Sequence, residues 1–286
     1  MPLSALLLIL FAAWCHATWN LFLKKSHGGG IAFFWLVAWF EIIIYAPLAI
    51  TQVWQAGWRP DALSLAMMLG SALIHVAYFV FLDRGYRSGD LSVVYPLARA
   101  SGPLLTIIAA VFFIGERPAP IALAGALLIG AGAMMLSGNP LSMLRRGGQG
   151  IGFALATGAM IALYTVWDRQ AVAALLIPPI IYYWGSIVLR LAVTTPVCLS
   201  SMDRIRTIWR IDRRAVLAVA ALSPLSYGLA LYAMTMAPLS YVAPARETSI
   251  LVAAPYGTHF LKEVDVARRL VAAFMMVLGL AGIALA

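Results

Sequence analysis

Apolar residues run in nearly unbroken stretches of roughly twenty positions, bounded by charges or by Gly/Pro clusters. They fall at about 3–23, 31–51, 62–82, 91–113, 118–138, 149–167, 179–200, 214–236, 241–261 and 267–286. A bilayer core about 30 Å thick is crossed by about 20 helical residues, so each run has the length of one span. None alternates polar with apolar as a membrane barrel requires, and in hydrocarbon only helices or closed barrels satisfy every backbone group. The pattern predicts an all-α integral membrane protein with ten transmembrane helices.

Composition strengthens this reading. The 286 residues are 63% hydrophobic and 11% charged, where a soluble domain has about half and about a quarter, so a water-soluble globular protein is excluded. The net charge of +9 would suggest nucleic acid in a soluble chain. Here it follows the positive-inside bias, and no nucleic-acid partner is expected. Alternate connections hold Lys24, Lys25, Arg84, Arg87, Arg145, Arg146, Arg204, Arg206, Arg210, Arg213, Arg214, Lys262, Arg268 and Arg269, whereas the others hold Arg59, Arg117 and Arg169. The bias puts the first set in the cytoplasm and both termini outside, in a bacterial-type inner membrane, with residues 203–214 as an arginine-rich loop. Cys15 and Cys198 fall inside apolar runs and read as small core residues.

Sliding the chain along itself by 147–149 positions reveals two related halves, 1–140 and 149–286. His16-Ala17-Thr18-Trp19-Asn20 lies over Tyr164-Thr165-Val166-Trp167-Asp168, while Trp35, Glu41 and Pro47 fall on Trp184, Arg190 and Pro196. Leu91-Ser92 with Pro96 and Ala98-Arg99 parallels Leu239-Ser240 with Pro244 and Ala245-Arg246, and Glu116 falls on Glu263. Five spans per half is an odd number, so the second half enters the membrane from the opposite side. Such inverted repeats are characteristic of secondary transporters with a site between the halves.

These residues are where a resemblance becomes visible. The helix-1 signature, the Leu-Ser…Pro…Ala-Arg stretches, the Gly-Glu and Lys-Glu endings and the glycine-bearing fifth and tenth helices resemble the EamA-domain members of the drug/metabolite transporter superfamily, including its amino-acid exporters. The resemblance implies ten helices, alternating access and export of small metabolites without ATP. Members of the superfamily are often placed with cytoplasmic termini, and the Lys/Arg count here gives the reverse.

Several residues are candidates for a translocation path. Pro96 and Pro244 each remove a backbone donor and free the carbonyls of Ser92 and Ser240, and unpaired backbone at membrane depth belongs in protein or beside a wet cavity. The polar aromatic group His16, Trp19, Asn20, His75, Tyr78, Tyr95, Tyr164, Trp167, Tyr183, Trp184 and Tyr227 offers stacking faces and hydrogen bonds, with interfacial anchoring as the alternative. Ionisable side chains deep in a bilayer are functional candidates with partners. Glu41 and Arg190 occupy equivalent positions and are expected to pair across the halves. Arg99, Arg246 and Glu247 sit one turn beyond the proline breaks, where an arginine fork suits a substrate carboxylate. Glu116 and Glu263, beside Arg117 and Lys262, read as interfacial salt bridges. Small residues at Ala122, Ala126, Gly130 and at Ala154, Gly158, Ala162 read as close-packing faces.

No phosphate-binding loop or His/Cys metal motif is present, so neither ATP drive, a cofactor, a metal nor a catalytic residue is expected. The substrate reading is an amino acid, aromatic ones included. Drug-like cations, phosphorylated sugars or an intramembrane enzyme remain the alternatives. His75 is a candidate proton relay, and the sequence leaves monomer or homodimer open.

Overall fold

A computed structural model describes residues 1–26, 30–89, 91–137, 149–252 and 266–286. Ten α-helices make up the described residues, without a strand among them. The first half contains α1 (Leu3–Lys25), α2 (Ile31–Ala56), α3 (Ala62–Ser88), α4 (Leu91–Ala109, extended by a π-helical turn Ala110–Ile114) and α5 (Pro120–Ser137). The second contains α6 (Gln149–Arg169, extended by a π turn Gln170–Ala174), α7 (Pro179–Leu199), α8 (Met202–Met236), α9 (Leu239–Ala245, followed by the 3-10 turn Arg246–Thr248) and α10 (Val266–Leu285). Local chemistry explains several boundaries. Asp61 caps α3 by accepting from the Ser64 amide at 2.8 Å, and Gly115 ends the α4 π turn in the left-handed region at φ 77°.

Among the described residues seven helical stretches are long and apolar enough to cross a membrane, against the ten expected. The shortfall lies at α5 and α10, whose apolar stretches 120–136 and 270–285 are shorter, and at α9. The ninth expected span, 241–261, continues past residue 252 outside the described residues, as do Lys262 and Glu263. Large apolar side chains including Leu7, Ile43, Phe112, Phe113, Leu127 and Phe274 are exposed, as a lipid-facing surface requires.

Two boundaries differ from expectation in ways that matter. The arginine-rich segment 203–214 is not a loop: α8 runs from Met202, with a non-helical kink at Asp212. Ile205 and Ile208 are buried and Trp209 stacks on Phe40 of α2 at 4.9 Å between centroids. Apolar residues three or four apart give this arm an inner face, while its arginines stay outside. The sixth helix also continues past residue 167 through its π turn to Ala174, which carries Asp168 well inside a helix.

Packing is dominated by contacts between the halves: α5 with α10, α1 with α8, α3 and α4 with α6, α2 with α7 and α8, and α3 with α7. Glycines permit the closest approaches. Gly125 and Gly279 face each other across α5 and α10, so that a Cβ on either would stand 2.4 Å from the other's carbonyl oxygen. A Cβ on Gly158 of α6 would stand 2.0 Å from Ser101 Oγ of α4. Ala122, Ala126 and Ala154 are buried on the same seams.

Candidate functional site

Besides Asp212 at the kink of α8, four carboxylates among the described residues are drawn inward between helices. Glu41, in the middle of α2, is 2% exposed, and Arg190 Nη2 of α7 lies 3.0 Å from its Oε2. Indole donors flank this pair reciprocally: Trp35 Nε1 of α2 donates to Thr195 Oγ1 at 2.9 Å, and Trp184 Nε1 of α7 donates to the Ile42 carbonyl at 3.1 Å. Trp184 is therefore an anchor between α2 and α7.

The second pair joins α4 to the turn after α9. Arg99 Nη2 lies 3.0 Å from Glu247 Oε2, with Nε donating to the same oxygen at 3.2 Å. Its Nη1 stands 2.9 Å from His16 Nε2 and its Nη2 donates to Ser249 Oγ at 3.2 Å. A guanidinium only donates, so the His16 Nε2 is an acceptor and its ring proton sits on Nδ1. Trp19 packs edge-on against His16 at 4.9 Å, with its Nε1 buried and unpartnered among the described residues. Asn20 donates back to the His16 carbonyl at 2.7 Å. Arg99 and Glu247, with Pro244, also line a crevice toward α5 with room for about one water. Backbone at Pro96 stays helical within α4, whereas α9 tightens into the 3-10 turn directly after Pro244. The side chains of Tyr95 and Pro96 lie outside the described residues.

Third, Asp168 of α6 is fully buried. Tyr182 and Tyr227 donate to its two oxygens at 2.6 and 2.5 Å. Around Tyr227 the aromatic residues close into a cluster. His75 stacks on Tyr164 at 4.2 Å, Tyr78 and Tyr227 meet Tyr164 edge-on at 6.0 Å, and Tyr183 lies 5.0 Å from Tyr227. His75 Nδ1 is 2.8 Å from the Ser71 carbonyl. The Arg246 guanidinium sits over the Tyr227 ring, 5.0 Å from its centroid. Trp167, by contrast, lies on Gly70 and donates to the Met67 carbonyl at 2.8 Å, which makes it a packing element between α6 and α3.

Fourth, Glu116 grips the start of α9: the amides of Leu239 and Ser240 donate to its two oxygens at 2.8 and 2.9 Å. Its cation is Arg169, 3.9 Å away, and Arg117 is exposed. Glu116→Ala is expected to lower the melting temperature of the purified protein, by about 1–2 kcal/mol of stability as for a lost helix cap, while Arg117→Ala leaves it unchanged.

The structure thus gathers His75, Tyr78, Tyr164, Tyr227 and Arg246 in one cluster and His16, Trp19, Arg99 and Glu247 in the next. It adds Asp168, Tyr182 and Ser249, absent from the sequence-derived set. Asp168 aligns with Asn20 and is followed by Arg169, so with the helix stopped at 167 it reads as half of a helix-end pair.

A lipid-facing bundle with charged and aromatic side chains meeting inside it defines a multi-pass α-helical membrane protein with a polar interior. Residues 3–138 match the EamA-like transporter family, and this segment is an EamA domain, of the drug/metabolite transporter superfamily. No curated protein matches the chain. Its fold is similar to that of a solved crystal structure at a TM-score of 0.75 and 18% identity, covering 100% of this chain and 98% of the other.

Proposed function

We propose that the protein is a secondary, non-ATP transporter that exports small metabolites, amino acids including aromatic ones, by alternating access between two inverted five-helix repeats, 1–140 and 149–286. The observation that carries the substrate reading is Arg246, whose guanidinium makes no hydrogen bond or ion pair among the described residues and lies over the Tyr227 ring of the aromatic cluster. A guanidinium without an acid partner suits a carboxylate, and the rings suit an apolar or aromatic side chain. Arg99 is already committed to Glu247, His16 and Ser249, which disfavours a multiply phosphorylated substrate.

The packing supports the repeat reading. Exchanging each helix for its counterpart five places along turns α1·α8 into α6·α3 and α2·α8 into α7·α3, and all four contacts occur. The α2·α7 and α5·α10 contacts map onto themselves. Glu41 and Arg190 are equivalent positions that touch, as residues beside a two-fold axis do. The Lys/Arg distribution supports termini outside a bacterial-type inner membrane.

Liposomes preloaded with unlabelled solute test the reading by counterflow of labelled aromatic and other neutral amino acids, lipophilic cations and sugar phosphates. Amino-acid counterflow is expected. Arg246→Ala should reduce it about tenfold or more, the worth of a charge-assisted contact, and Arg246→Lys should retain part of it. Flux confined to cations or phosphates would reject the amino-acid assignment.

A further inference from the structure

Asp168 is unlike the three glutamates that join helices inside the bundle. Glu41, Glu247 and Glu116 each have an arginine within 4.0 Å, whereas no Lys or Arg among the described residues pairs with Asp168. Its oxygens take phenol protons instead. A buried carboxylate without a cation is costly in a bilayer and is satisfied by a cationic ligand or a proton. Arg246 is the complementary case, a guanidinium without an acid. The two meet at Tyr227, whose hydroxyl holds Asp168 and whose ring face holds Arg246. Tyr227 alone therefore stands between the opposite charges, the carboxylate at its hydroxyl and the guanidinium over its ring.

That gap matches a zwitterion. The ammonium and carboxylate groups of an α-amino acid share one carbon, and a charge-assisted hydrogen bond of about 2.8 Å at each end brings both ends of the head within reach. We propose that Arg246 and Asp168 are the two ends of a receptor for the α-amino-acid head. Arg246 takes the carboxylate, Asp168 takes the ammonium as the Tyr182 and Tyr227 hydroxyls turn aside, and a proton competes with the ammonium for Asp168. A carboxylate that holds either a proton or the substrate, never both, exchanges one for the other across the membrane. This inference rests on the amino-acid reading above.

The groups facing Asp168 are Ser71 from α3, Tyr164 on its own helix, Tyr182 and Tyr183 from α7, Tyr227 from α8 and Arg246 after α9, and His75 stands behind them, bonded to the Ser71 carbonyl and edge-on to Tyr227. Arg99 of α4 stands near Tyr164 and is paired with Glu247. His75 is therefore the group whose titration must be separated from that of Asp168.

The test compares binding of phenylalanine and of 3-phenylpropionate, the same molecule without its ammonium, to the purified protein across a pH range in which both ligand carboxylates stay ionised. Phenylalanine affinity is expected to fall as pH is lowered, by up to tenfold per unit, while that of 3-phenylpropionate stays level. Asp168→Asn should weaken phenylalanine and remove its slope, and His75→Gln, whatever its affinity, should keep the slope. Equal pH dependence of the two ligands, or loss of the slope in His75→Gln, overturns the proposal. Should Asp168→Asn fail to fold, the wild-type comparison still decides. Amino-acid counterflow without a difference between the two ligands defeats this inference alone, whereas absent counterflow with neither ligand bound defeats the amino-acid reading as well.

Discussion

Glu41→Gln and Arg190→Met are each expected to destabilise the purified protein by about 3–5 kcal/mol, because each strands a buried charge opposite a neutral partner. The double exchange Glu41→Arg with Arg190→Glu should recover more than half of that loss. The pair sits in the middle of α2 and α7 with 2% and 16% of the side chains exposed and 3.0 Å between the charged atoms. No water-filled route is needed to account for these charges: each is the other's solvent. Melting temperature and folded yield of the three variants in detergent decide the matter. Equal loss in all three would mean that each charge is satisfied by its own surroundings and that the pair adds nothing.

Gly125→Val and Gly279→Val should be comparably severe. A Cβ at either position meets the carbonyl oxygen of the opposite glycine at 2.4 Å, and backbone cannot swing away as a flexible side chain can. The helices must separate along their length, at a cost of about 3 kcal/mol, the upper end for overpacking. Gly228→Ala provides the contrast, since nothing stands within 4 Å of the added carbon. It should be neutral or stabilise by up to about 1 kcal/mol through helix propensity. A Gly125→Val protein that melts with the wild type would show that the α5 and α10 seam is not a close one.

How much of this was written in the sequence can be judged residue by residue. Helix positions were legible because lipid demands long apolar runs and leaves few alternatives. The arginine arm of α8 was not, since a run of charges outside hydrocarbon carries no hydropathy signal. Only Ile205, Ile208 and Trp209, at helical spacing, mark its inner face. The aromatic group could be assembled from the chain, but its division into cluster and scaffold could not. Trp167 and Trp184 have the same composition as a binding group, and their indole donors turn out to be spent on the Met67 and Ile42 carbonyls. Asp168 was hidden for a different reason. A π turn lengthens α6 beyond the point where Arg169 suggests an end, and π turns depend on packing and leave no clear trace in a local pattern.

The salt bridge between equivalent positions, Glu41 with Arg190, bears on descent. On the two-repeat reading, an ancestor made of two identical halves would have set like charge against like charge at position 41. That arrangement is costly in a bilayer. The present halves carry unlike charges there, so they have become complementary strangers. The first half, produced alone and free to pair with itself, would meet its own charges and should not assemble.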